Sequence, residues 1–180
     1  DPSLKIKPLA YYSTMIASFE SLGYQVGADL HGAPYDWRGS PDGFLAPGAY
    51  YDKLQALIEN STLRNGARAH LITHSLGGTV ALAFLKTRAP GWVKQFVDSF
   101  VPISAPWGGG TVMVESDASG SNLGIPLLPA DYLRPVQCTS ASGVFVLPTV
   151  AAFGDAPLVV TPERNYTAAD MEDYLLALGL

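Results

Sequence analysis

The stretch Ala69-His70-Leu71-Ile72-Thr73-His74-Ser75-Leu76-Gly77-Gly78 decides how this chain is read. A short strand-like run over residues 68–73 stops at a serine, and from residue 79 to 88 the positions Val80, Ala83, Phe84 and Thr87 recur at helical spacing. Strand, sharp turn and helix in that order form a nucleophile elbow, in which small residues two before and two after the serine let the backbone fold tightly. Thr73 stands where the first glycine is usual, and Gly77 keeps the second. Such a turn lifts the Ser75 hydroxyl clear of a sheet and aims the Leu76 N–H at the place where an oxyanion forms.

Outward from the elbow, residues 9–22 place Leu9, Tyr12, Ile16, Phe19 and Leu22 on one helical face, with Gly23 as a stop. Residues 24–30 alternate as a short strand, followed by a turn-rich loop that carries Tyr35 and Trp37. A second helix is expected over residues 50–58, with Leu54, Leu57 and Ile58 inward and a polar connection over residues 60–66. Beyond the elbow helix, Pro90 breaks the pattern and residues 100–104 read as another buried strand. The alternation of strands and helices predicts an α/β fold with a mostly parallel sheet. Residues 117–129 read as a long loop, residues 158–160 as a brief strand, and residues 167–178 as a helix with Thr167 and Asp170 in capping-box spacing.

Composition bounds the function. The 180 residues suffice for one domain with a substantial core, 48% are hydrophobic and only 15% charged, which excludes a disordered chain. A formal net charge of −5 leaves no basic footprint for nucleic acid. The single cysteine, Cys138, cannot form an internal disulfide; it pairs with another chain, stays a free thiol or packs as a small apolar residue. The apolar stretch over residues 144–160 is broken by Pro148, Gly154, Asp155 and Pro157, so it does not span a membrane. No signal-like segment opens the chain and Met is not its first residue, so Asp1 reads as a cut terminus. Asn60-Ser61-Thr62 and Asn165-Tyr166-Thr167 are glycosylation sequons, Asn60 at a helix end and Asn165 in a loop, and they fit a secretory route.

A serine is a weak nucleophile unless a histidine takes its proton and a carboxylate orients that histidine. After an elbow serine the acid and then the histidine follow in the chain, yet all three histidines, His31, His70 and His74, precede Ser75. His70 and His74 read as structural, and His31 is out of order. Asp98, Asp131, Asp155 and Asp170 follow the serine but have no histidine to orient. Losing the histidine costs about 10⁶ in turnover, so this chain alone is expected to be incomplete or inactive. A second oxyanion donor also has no glycine-rich candidate upstream.

Three motifs in series carry a resemblance: Ala33-Pro34-Tyr35-Asp36-Trp37-Arg38, then Thr73-His74-Ser75-Leu76-Gly77-Gly78, then Ser104-Ala105-Pro106-Trp107-Gly108-Gly109. In that order the chain resembles the lecithin:cholesterol acyltransferase family, with the lysosomal phospholipase A related to it. Asn122-Leu123-Gly124-Ile125-Pro126 is similar to the family's lid segment, and residues 161–167 to a later stretch that carries a sequon.

The resemblance implies the central part of an α/β-hydrolase domain over residues 1–180, with a lid-like insertion at about residues 111–140 and neither cofactor nor metal. It implies Ser75 as the nucleophile, Leu76 as a backbone oxyanion donor, and residues 117–134, bounded by Asp117 and Arg134, as a mobile lid. Tyr35 and Trp37 would pack the loop, with Asp36 free to pair with an arginine. Triad Asp, triad His and the second oxyanion donor would come from one or more other chains of a processed precursor. The implied activity is transfer of a phospholipid acyl group to a sterol, another alcohol or water, at a membrane or lipoprotein surface. A lipid-binding or interaction module with a degenerate hydrolase core is the alternative.

Overall fold

The computed structural model describes residues 11–125 and 128–180. Its centre is a parallel pair, β1 (Ala69–His74) and β2 (Val97–Ile103), in which Leu71 faces Phe100 and His74 faces Ile103. Between them run α4 (Leu76–Thr87) and α5 (Pro90–Phe96), the crossover that a parallel pair requires. Pro90 at the first position of α5 gives up an N–H that has no helical partner there, which is why the helical pattern can restart at once.

Before the sheet come α1 (Ser13–Ser21), the short α2 (Pro41–Phe44) and α3 (Tyr50–Asn65). The strand expected over residues 24–30 is replaced by tight turns with a single Val26–Leu30 bridge. There the Asp29 carboxylate accepts the Gln25 N–H at 2.6 Å, a local bond that competes with extended chain. The first helix is described from Ser13, with Leu9 outside the described residues, and Tyr12, Ile16 and Leu22 of its expected inner face are exposed. The second helix overruns its expected end by a full polar turn and more, so Asn60 lies on an exposed face of α3 and not at its end. Gly66, at φ 66°, then stops it.

One face of the parallel pair is covered. Tyr51, Leu54 and Ile58 of α3, Val80 and Phe84 of α4, and Phe96 of α5 form the main core with Phe44 and Val97. Rings stack through it edge to face, with Phe44, Tyr51 and Phe84 spaced 5.7 and 5.4 Å apart. The opposite face carries Ile72, Val101 and Ile103, all exposed.

After β2 the chain builds a second layer from α6 (Thr111–Ser119), α7 (Ala130–Gln137), α8 (Ala141–Phe145), α9 (Val150–Phe153), the antiparallel pair β3 (Val159–Val160) and β4 (Asn165–Tyr166), and α10 (Met171–Ala177). Val114, Tyr166, Met171 and Tyr174 are its buried cluster. The loop expected over residues 117–129 is helical up to Ser119, and α7 starts at Ala130; Pro126, the last residue of the lid-like motif, and Leu127 after it lie outside the described residues. Its ends are tied: Gln137 Nε2 donates to Ser121 O at 2.7 Å, Gln137 Oε1 accepts the Ser121 N–H at 2.9 Å, and Arg134 Nε donates to the Asp117 and Ala118 carbonyls. Asn165 sits in β4, exposed, where a loop was expected. Thr167 and Asp170 do form a capping box, opening a 3₁₀ turn that leads into α10.

Candidate active site

Ser75 is the turn between β1 and α4, at φ 52° and ψ −129°. A non-glycine residue there stores about 1–3 kcal/mol of backbone strain, which persists only where the surroundings dictate it. They do so on both sides. The Ser75 N–H donates to Ile103 O at 2.9 Å, pinning the turn to the end of β2, and Ser75 O accepts the Gly78 N–H at 2.9 Å, starting the helix. The side chain is exposed. Leu76 and Gly77 open α4, so their N–H groups have no carbonyl one turn back and remain available at the helix's positive end.

The close approach falls one residue later than the motif suggests. A Cβ on Gly78 would stand 2.4 Å from Ala105 Cβ, whereas one on Gly77 would meet nothing nearer than Tyr35 Oη at 3.8 Å and Thr73 Cβ at 3.9 Å. Gly78 therefore lets α4 settle against the loop that follows β2. Thr73 fits in place of the first glycine, at the cost of a buried Oγ1 without a partner among the described residues. Ser104, which ends β2, repeats the left-handed backbone at φ 51°.

Loop residues 33–38 pack beside the elbow through Tyr35 alone; its ring lies 5.7 Å from Phe44 and 5.3 Å from Tyr50, while Trp37 is 45% exposed, contrary to the expectation that both aromatics pack. Asp36 and Arg38 do pair, at 2.6 Å, and the guanidinium's hydrogen bonds hold the Asp36 carboxyl down at about 2. Burial, with Tyr50 and Tyr12 nearby, pushes the Tyr35 phenol up to about 12.

A cleft of about 560 Å³ opens next to the elbow, between α1 and the ends of the two strands, lined by Tyr11, Tyr12, Met15, His74, Ile103 and Ser104. Tyr11 Oη lies 3.4 Å from His74 Nε2, and the two rings are 5.2 Å apart. The other two histidines are elsewhere. His31 donates from Nε2 to Ala28 O at 3.0 Å and lines a separate cleft of about 250 Å³ with Leu57, Asn60 and Arg64. His70 Nδ1 lies 2.8 Å from Ser99 Oγ and 3.6 Å from Asp98 Oδ2. That trio is a serine, a histidine and an aspartate, but both partners approach the same ring nitrogen, and a proton relay needs one on each. Asp98 is moreover paired with Arg68, and Asp170 with Arg164. Among the described residues the elbow thus has a serine and helix N–H groups but no histidine set to take the proton.

The family model for lecithin:cholesterol acyltransferase matches residues 2–176. The chain belongs to this family. It is 35% identical to Lecithin-cholesterol acyltransferase-like 1 of Arabidopsis thaliana over 99% of its length and 43% of that protein. It is 34% identical to Lysosomal phospholipase A and acyltransferase of Rattus norvegicus over the same shares. With Phosphatidylcholine-sterol acyltransferase of Mus musculus the identity is 34%, over 96% of this chain and 39% of that one. The chain thus spans about two-fifths of the length of these acyltransferase relatives. The sharp turn at Ser75 and Leu76 was readable from the motif; the close approach at Gly78 and the packing of Tyr35 depend on contacts with residues far away in sequence, and carried no local signal.

Proposed function

We propose that this chain carries the nucleophile of a serine phospholipase and O-acyltransferase. One observation carries the reading: in a member of this family, an exposed serine is held at φ 52° at the junction of β1 and α4. Ser75 Oγ attacks the acyl carbonyl of a phospholipid and an imidazole takes its proton. The tetrahedral oxyanion is held by the Leu76 N–H. Collapse breaks the ester bond, and the departing lysophospholipid oxygen takes the proton back. The hydroxyl of a sterol, another alcohol or water then attacks acyl-Ser75 and regenerates the serine.

The imidazole, its carboxylate and a second oxyanion donor come from outside these 180 residues, which span 43% of the length of the first two relatives. The connection between α6 and α7, residues 120–129, is the part of the 117–134 segment that acts as a lid over the acyl site, its ends anchored by the bonds of Arg134 and Gln137. Exposed sequons at Asn60 and Asn165 fit passage through the secretory route, as does the word lysosomal in the name of the rat relative. No described helix is long and apolar enough to cross a membrane.

A fluorophosphonate probe applied to the complete assembly tests this. Labelling at Ser75, with both labelling and phosphatidylcholine cleavage abolished by Ser75→Ala, is the expected result. Tight lipid binding without acyl transfer in the complete assembly would instead make the chain a binding module. Intact-mass and peptide mapping of the active material decides the completion: these 180 residues alone, folded and active, would sink the reading that the other groups come from outside them.

A further inference from the structure

Three tyrosines stack around Phe44 in the main core, and two of them spend their hydroxyls on backbone. Tyr50 Oη donates to Ala33 O and Tyr51 Oη to Val80 O, each at 3.0 Å. Tyr35 is different. Its hydroxyl has no hydrogen-bond partner among the described residues, and it lies 3.8 Å from the point where a Cβ on Gly77 would stand, against the first turn of the elbow helix. The hydroxyl is not sealed in, because the only fully buried unpartnered side-chain oxygen among the described residues is Thr73 Oγ1. A phenylalanine would supply the same ring contacts, so packing does not account for the oxygen.

We propose that the Tyr35 hydroxyl donates a hydrogen bond to an oxygen of the acyl ester held at Ser75. The inference rests on Ser75 being the nucleophile. Position favours it: the hydroxyl stands by the second residue after the serine, at the end of the helix where unpaired N–H groups already favour negative charge. Rigidity favours it too, since the ring packs against Phe44 and Tyr50 in a triangle of centroids 5.3 to 5.7 Å apart, and a donor held in place before reaction needs no reorganisation as charge develops. The phenol, pushed up to about 12, keeps its proton through the working range and so has a hydrogen to donate. A small residue at position 77 keeps the space between this hydroxyl and the elbow open.

The test compares wild type, Tyr35→Phe and Tyr50→Phe in the complete enzyme, reading fluorophosphonate labelling of Ser75, kcat/KM on phosphatidylcholine vesicles, and melting temperature. Tyr35→Phe is expected to lower kcat/KM roughly tenfold or more at an unchanged melting temperature. Tyr50→Phe is expected to lower the melting temperature, because it strands the Ala33 carbonyl. Unchanged kcat/KM in Tyr35→Phe overturns the inference while labelled wild type leaves the nucleophile standing. A fall in melting temperature matching that of Tyr50→Phe also overturns it, since the hydroxyl would then be tied to protein. Absence of wild-type labelling at Ser75 overturns both.

Discussion

At the scale of single residues, the elbow distributes its steric demands unevenly. Ser75 holds a left-handed backbone that a β-branched residue would resist, yet Gly77, two residues on, is not in tight quarters. The demand falls on Gly78, where an added methyl would sit 2.4 Å from the methyl of Ala105. Neither partner can yield easily, since one belongs to the first turn of α4 and the other to the loop leaving β2. Gly78→Ala is therefore expected to cost about 1–3 kcal/mol of stability through overpacking. Gly77→Ala meets only ordinary contacts and replaces a helical glycine, so its effect is expected to stay within about 1 kcal/mol of wild type. Urea midpoints of the two variants separate these outcomes, and equal losses would show that the space at Gly78 was misjudged. The distinction is invisible in the motif, which counts positions from the serine and carries no information about Ala105.

At the scale of elements, the α6–α7 unit buries a carboxylate together with the polar side chains of Ser116, Ser121 and Gln137. Asp117 is 4% exposed on α6, with Arg134 of α7 and Tyr174 of α10 as the charged and titratable groups beside it. Burial raises its carboxyl above the ordinary range, and the Arg134 guanidinium pulls it back only in part. A native state that binds the proton more tightly than the unfolded chain loses stability as pH rises from about 4, the unfolded value, through the raised one. Asp117→Asn removes that loss. It is expected to melt higher than wild type at pH 7, with the gap closing as pH falls below about 4; parallel melting curves at both pH values would contradict it. The sequence hid this unit because residues 115–121 mix Ser, Asp, Ala and Gly, a composition that reads as loop until Gln137 and Arg134, more than a dozen residues on, satisfy its backbone. By contrast β1 and α4 were legible, since the apolar period changes sharply at Ser75, whereas α5 was not, because Pro90 reads as the end of one helical pattern when it is the first residue of the next helix. The polar end of α3 was not, because helix propensity and Gly66 carried it past the last apolar position. The turns at residues 24–30 were misread because alternation alone does not register an Asp29 side chain competing for backbone N–H groups.

At the scale of the whole molecule, the described residues put only two strands in the parallel sheet. All-parallel sheets are stable when both faces are covered, and here α3, α4 and α5 cover one face only. On the other, α1 reaches just the strand ends beside His74, Ile103 and Ser104, leaving Ile72 37%, Val101 46% and Ile103 42% exposed. The relatives this chain matches are more than twice as long, since it spans 43% of each of the first two. In the completed enzyme proposed above, the residues that bring the histidine and carboxylate to Ser75 must pass the same ends of β1 and β2, and the open face is the surface nearest to hand. That face is accordingly expected to be interior once the enzyme is whole. Val101→Asp would then bury an unpaired charge and cost about 3 kcal/mol or more, whereas Leu63→Asp, on the 74% exposed side of α3, would stay within about 0.5 kcal/mol. Denaturant melts of the assembled enzyme read the difference directly. Two equally small effects would mean that the face stays in water, and that the missing catalytic groups reach Ser75 by another route.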